Sequence, residues 1–168
     1  MLIRRETPDD VQAITDVTDA AFAARPGGEA WLLGELRADA GWVPELSLVA
    51  ESPEGAVIGH VVCTRATLND APALGLGPLS VHPDHQRRGV GKALVHAVLG
   101  AADALGAPLV ALLGDPAYYS RFGFRPAADL GVEPPVAEWG AYFQVRTLHA
   151  YRPNQRGAFR YAEPFERL

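Results

Sequence analysis

Residues Gln86-Arg87-Arg88-Gly89-Val90-Gly91-Lys92 place two glycines among three cations. They stand after an apolar run ending at Leu79-Ser80-Val81 and a Pro-containing turn at residues 82–85. An amphipathic stretch follows, with Val90, Leu94, Ala97, Val98, Ala101 and Leu105 at helical spacing. The glycines therefore fall in the first turn of a helix, where N–H groups have no intrahelical partner. Such N–H groups and the positive end of the helix dipole suit an anion. Without Cβ atoms, Gly89 and Gly91 let a bulky pyrophosphate approach the backbone. The longer dinucleotide pattern G-x-G-x-x-G is absent because Leu94 occupies its last position, and no P-loop is present. An ordinary helix start with glycines for packing is the bland alternative.

Composition narrows the partners. The chain has 168 residues and a formal net charge of −5, which disfavours nucleic acid or a membrane surface as a general partner. From Arg146 onward five arginines face only Glu163 and Glu166, so this tail is +3 and the remainder −8. A solvated, partly frayed C-terminus accounts for that imbalance; contact with an anionic substrate or a ribose phosphate is the functional alternative. The single cysteine, Cys63, lies in an apolar run and reads as a buried small hydrophobe. Five scattered histidines show no metal-ligand spacing, so no metal is expected. The N-terminus has no apolar signal core and no run approaches a membrane span, which points to a cytoplasmic protein.

The elements that must position the loop can be taken in order. Leu2–Arg5 reads as a strand, and Thr7-Pro8-Asp9-Asp10 starts a helix reaching about Ala24. A second helix covers roughly Glu29 to Ala38. Leu46–Glu51 and Ala56–Thr67 form a hairpin about the turn at Ser52–Gly55. Ala73–Val81 is the next strand, and Gly75, Gly77 and Pro78 inside it predict a bulge. Leu109–Leu113 is a short buried strand, followed by a brief helix with Asp115 as cap and Gly123 as its C-terminal glycine. Ala127–Gly140 is loop-like, Tyr142–Leu148 is a last strand, and no element is assigned past Arg152. The expected fold class is α/β of the α+β type: a mixed, largely antiparallel twisted sheet flanked by helices. One domain spans residues 1–168, with a core over about 2–148 and a C-terminal extension over 149–168.

Three features share one resemblance. Q-R-R-G-V-G-K-A-L after the V-H-P turn resembles the acyl-CoA pyrophosphate loop of the GNAT superfamily of N-acetyltransferases. The element order matches the GNAT fold over about Leu2 to Leu148. L-G-D-P-A-Y-Y-S-R-F-G-F at Leu113–Phe124 is similar to a strand-to-helix segment of a bacterial subgroup, with Tyr119 and Gly123-Phe124 on the common Y-x-x-x-G-F. The resemblance implies acetyl-CoA as co-substrate, bound by Leu79, Ser80, Val81, Gln86, Arg87, Arg88, Gly89, Val90, Gly91 and Lys92. It implies direct acetyl transfer to a primary amine in a ternary complex, with Tyr119 as the acid facing the CoA sulfur. A backbone N–H of Leu79 or Val81 would polarise the thioester carbonyl. A homodimer is common in the family.

The general base stays open. The strand before the loop has no carboxylate, which leaves His82, His60, Asp115, Glu29 or a water chain. Each has a bland reading: turn residue, satisfied core histidine, helix cap, exposed helix acid. The missing carboxylate also motivates the alternative of a non-catalytic acyl-CoA-binding sensor. The loop Ala127–Gly140 with Trp139, and the stretch Trp31–Trp42, are candidate walls for the acceptor.

Overall fold

Strand β1 (Leu2–Arg5) is the edge of a sheet whose remaining strands alternate apolar faces toward two layers of helix. In a computed structural model describing residues 1–168, β1 pairs antiparallel with β2 (Ser47–Glu51), and β2 with β3 (Val57–Leu68). β3 pairs antiparallel with β4 (Ala71–Val81) through a tight turn in which Asn69 and Asp70 both take positive φ. β4 pairs parallel with β5 (Leu109–Leu113). β5 continues antiparallel to β8 (Phe143–Thr147), which also receives the two-residue β6 (Arg125–Pro126). The fold is thus the expected mixed, largely antiparallel sheet flanked by helices.

Helices α1 (Val11–Ala21) and α2 (Glu29–Ala38) lie on one side of the sheet, and α3 (Val90–Ala104) on the other. A single 3-10 turn at Pro8–Asp10 precedes α1, where the Thr7 N–H donates to the Asp10 carboxylate at 2.7 Å. α1 ends at Ala21, three residues before the expected end. On α3 the fully inward residues are Val90, Leu94, Val95, Val98, Leu99 and Ala102. The expected stripe is therefore rotated: Ala97 and Ala101 sit at its margin, and Leu105, past the helix end, is exposed. The sheet's apolar surface, including Val61, Cys63, Leu74 and Leu76, meets the helix about one residue further round. At Gly59 a Cβ would approach Leu94 Cδ1 to 3.0 Å, so the glycine sets how closely α3 packs on β3.

Two features of β4 depart from a regular ladder. Val61 pairs with Leu79 but Cys63 pairs with Leu76, so Gly77 and Pro78 together oppose Val62. This is the bulge expected from Gly77-Pro78. In addition β4 pairs with β5 only at Leu74–Val110 and Gly75–Ala111. Beyond Gly75 the two strands part and leave a wedge.

The C-terminal segment corrects the expectation of a frayed tail. β9 (Gly157–Arg160) pairs antiparallel with the end of β3 at Thr67–Leu68 and parallel with β7 (Val132–Glu133). Phe159 is only 1% exposed. It packs in the second core cluster with Phe143, Val145 and Leu109. A four-residue strand with one buried aromatic has too little periodicity to announce itself; pairing with a distant strand end makes it one. No helix is long and apolar enough to cross a membrane.

Candidate active site

The chain reverses between β4 and α3 through residues 82–89, and the reversal leaves a run of donors. The backbone N–H groups of residues 87–92 make no hydrogen bond within the chain. Arg87 and Gly89 both take positive φ, at 60° and 83°, and Gly89 is the N-cap of α3. The loop is tied to β4 by the Gln86 side chain, whose Nε2 donates to the Val81 carbonyl at 3.0 Å. A cavity of about 640 Å3 opens beside it, lined by Leu79, Val81, Gln86, Arg87, Gly89, Val90, Gly91 and Lys92, with Tyr118 and Arg121 opposite. Arg87, Lys92 and Arg121 are its only charged side chains. Two predicted residues stand outside its wall. Arg88 is exposed, and Ser80 turns its buried hydroxyl to Thr18 Oγ1 at 3.0 Å beneath α1.

The glycines of this loop act differently. Nothing lies within 4 Å of a Cβ at Gly89, so its positive φ is what calls for glycine. At Gly91 a Cβ would come 2.9 Å from the Tyr118 hydroxyl, so glycine there makes room for that phenol.

The wedge supplies further donors. The His82 N–H donates across to Ile58 of β3 at 2.9 Å. Backbone N–H directions alternate along a strand, so Ser80 also points toward β3 while Leu79 and Val81 point away from it. Away from β3 is toward the wedge, where β5 no longer pairs with β4. The bulge and the parting of strands thus aim two N–H groups into the space between β4 and β5.

Tyr118 and Tyr119 close helix α4 (Pro116–Tyr119), which Asp115 caps by accepting the Ala117 N–H at 2.9 Å. Gly123, at φ 82°, ends the following 3-10 turn. Adjacent residues on a helix face different ways, and here the two rings serve two cavities. Tyr118 lines the basic one, with the Arg121 guanidinium 4.8 Å from its ring centre. Tyr119 lines a second cavity and packs edge-on against Phe124 at 5.8 Å. Its ring rests on Gly114, where a Cβ would meet Tyr119 Cε2 at 2.5 Å. Burial pushes the Tyr119 phenol well above the usual tyrosine range, with Tyr118 adding to the shift. The group is held protonated at neutral pH.

The second cavity has a volume of about 1020 Å3 and shares Phe22 and Leu79 with the first. Its walls come from Glu29 and Leu32 of α2, the bulge residues Gly77 and Pro78, the loop Pro134–Val136 with Trp139, and the C-terminal segment. Of the predicted acceptor walls, the loop with Trp139 contributes. From the stretch Trp31–Trp42 only Leu32 does; Trp31 lies under Arg167, and Trp42 packs with Leu32 and Leu36. Phe22, Arg121 and the lining residues of 158–168 other than Arg160, one of the arginines weighed as an anion contact, carry no site reading in the sequence. Arg121 has a faint signal, three residues past Tyr118 on a helical turn.

Among the candidate bases, Glu29 alone lines either cavity. Asp115 is occupied as a cap, and His82 accepts the Asp84 N–H at 3.3 Å in the turn. His60 is fully buried, its Nε2 within 2.8 Å of Ser47 Oγ and 3.1 Å of Glu6 Oε2. Burial holds its pKa below the ordinary histidine value despite Glu6. Burial alone would raise the Glu6 carboxyl, but hydrogen bonds from His60, Arg37 and Ser47 bring it down to about 2. These four residues form a buried polar tie among the β1–α1 connection, β2, β3 and α2, away from both cavities. Cys63 is buried in the core against α3, and burial raises its thiol pKa.

A basic cavity at a helix start, a bulged strand parted from its parallel neighbour and a tyrosine at their meeting describe an acyltransferase architecture, and sequence relationships agree. The family profile described as "Acetyltransferase (GNAT) domain" matches residues 2–127, and the chain belongs to that family. It is 37% identical over 173 residues to the N-acetyltransferase YhbS of Escherichia coli K12, across the full length of both. It is 35% identical to the N-acetyltransferase YjhQ of the same organism, covering 94% of this chain and 90% of the relative. The crystal structure of Escherichia coli YhbS in complex with CoA superposes with a TM-score of 0.92 at 34% identity, covering 99% of this chain and 92% of that one. A GNAT acetyltransferase from Brucella melitensis in complex with acetyl-CoA gives 0.80 at 34% identity, covering 98% and 97%.

Proposed function

We propose that this protein moves an acetyl group from acetyl-CoA to a primary amine within a ternary complex. The observation that carries the reading is the run of free N–H groups at residues 87–92 beside Arg87, Lys92 and Arg121. Backbone donors and three cations in one concavity suit the pyrophosphate of CoA. The wedge between β4 and β5 then takes the pantetheine arm, bringing the thioester to Leu79, which lines both cavities. The CoA complexes of the two similar structures support this reading.

The chemistry follows from that placement. The amine nitrogen attacks the thioester carbonyl carbon, and the charge gathering on its oxygen is met by the Leu79 or Val81 N–H. Collapse forms the C–N bond and breaks the C–S bond, the electron pair leaving with sulfur. The Tyr119 phenol gives its proton to the thiolate; because burial raises the phenol pKa, that transfer depends on the phenol being reprotonated as the proton leaves. The proton lost by the amine returns to solvent or to Tyr119 through water, so the products are an acetamide and CoA thiol. Holding amine and thioester in register supplies up to about 7–11 kcal/mol of the barrier reduction, more than the acid contributes.

Calorimetric titration with acetyl-CoA tests the placement. Saturable binding is expected, with a loss of at least about a hundredfold in Gly89→Glu, which sets a carboxylate against the pyrophosphate. No binding by the folded wild type would sink the reading. Binding without transfer to any amine would leave the second reading, a non-catalytic acyl-CoA sensor, whose supporting observation is that β4 bears no carboxylate.

A further inference from the structure

The larger cavity is built for a particular kind of acceptor. Thirteen of its twenty lining residues are hydrophobic. Five of the lining side chains are aromatic: Phe22, Tyr119, Trp139, Tyr161 and Phe165. Tyr161 stacks on Phe165 with ring centres 4.5 Å apart and meets Trp139 edge-on at 6.3 Å. Trp139 in turn stacks on the buried Phe143 at 5.9 Å, which fixes its plane. Leu113 and Val136 also open onto this space while 46% and 41% exposed. Large apolar side chains exposed around one concavity mark a surface that meets an apolar ligand.

The charges around the cavity reduce to one. Its charged residues are Glu29, Arg160 and Glu166. Arg160 and Glu166 pair with each other at 3.3 Å and cancel. Glu29 has no cationic partner; its carboxylate accepts the Gly27 N–H at 2.9 Å. One uncompensated negative charge therefore stands in an apolar wall.

We propose that the acceptor is a small primary amine on an aromatic body, with its ring against Trp139, Tyr161 and Phe165 and its ammonium drawn in by Glu29. The proposal rests on the acetyl-transfer reading above and names the substrate class for it. One half-buried carboxylate without a cationic partner matches one ammonium. A polycation would bring further charges against an apolar wall that offers them no partner. An apolar wall also disfavours the ammonium form once the amine has passed Glu29, which raises the fraction of neutral, nucleophilic amine at the thioester. A lysine on a peptide reaches in as a bare methylene stem and leaves the aromatic faces unfilled. Four of the deciding side chains, Val136, Trp139, Tyr161 and Phe165, lie beyond the residues 2–127 matched to the family. The C-terminal segment is thus what sets acceptor choice in this chain.

The experiment compares phenethylamine and tryptamine with ethanolamine, an aminoglycoside and a lysine peptide, reading CoA thiol release. In parallel, calorimetry measures binding of each amine to the protein saturated with CoA. The aromatic amines are expected to exceed ethanolamine in kcat/KM by at least about tenfold. Glu29→Gln is expected to raise the aromatic amine's KM by about tenfold while acetyl-CoA affinity stays unchanged. Val136→Asp, which adds a charge to the apolar wall, checks the same contact from the other side. A preference for ethanolamine, the aminoglycoside or the peptide overturns the acceptor class and leaves acetyl transfer standing. Aromatic-amine binding without thiol release supports the cavity assignment and overturns acetyl transfer. Neither binding nor release with the aromatic amines overturns the proposal.

Discussion

The two cavities meet at Phe22 and Leu79, yet they are made by opposite means. The smaller one is a backbone site: unpaired N–H groups of residues 87–92, two positive-φ positions and three cations, nearly all from one continuous stretch. The larger is a side-chain site, assembled from α2, the bulge, a loop and the C-terminal segment, and it is mostly apolar. A backbone site depends on local conformation and tolerates drift in other side chains. A side-chain site changes with every residue that lines it. On the proposed assignment of the two cavities, that difference lets one fold keep a common acyl donor while the acceptor varies.

Removing the proposed acid from the larger cavity should have the largest effect. Tyr119→Phe removes the hydroxyl and keeps the ring on Gly114, so kcat should fall about a hundredfold with acetyl-CoA affinity unchanged. Steady-state kinetics with calorimetry reads both. An unchanged kcat would remove the acid role from Tyr119. The next test separates the cavities. At Gly75 a Cβ would lie 2.5 Å from Tyr161 Cδ1, so Gly75→Ala must displace a ring of the apolar wall. The acceptor KM should rise about tenfold and stability fall by about 1–3 kcal/mol, while acetyl-CoA binding holds. An equal loss of acetyl-CoA binding would mean that the cavities are not independent. The smallest effect belongs to Arg121→Ala, where one cation of three is lost at the rim. Acetyl-CoA affinity should weaken several-fold, and the difference should shrink in high salt. The acceptor KM should stay the same.

Legibility in the sequence followed the same division. The loop at Gln86–Lys92 was readable because its turn, glycines, cations and amphipathic helix are consecutive, and each obeys a local rule. The bulge was readable from Gly77-Pro78, since neither residue suits a ladder interior. Asp115 as cap and Gly123 as helix stop follow from the same local chemistry. Ser80 stands outside the cavity wall for a local reason too: its neighbours on β4 face the wedge, but pleating turns its side chain to Thr18.

The sequence by itself therefore determined the order of elements, the donor-rich loop and the family to which the chain belongs. These rest on hydrogen bonding, dihedral preference and periodicity over short spans of chain. Only the tertiary structure decided which tyrosine faces which cavity, that Glu29 rather than His60 or Asp115 borders the larger cavity, and that residues 157–168 contribute a wall. Those outcomes depend on contacts between residues far apart in the chain, such as Gly75 with Tyr161 and Thr67 with Arg160. No local pattern encodes them, because their stability comes from apolar surface that is removed from water only when the whole sheet is assembled.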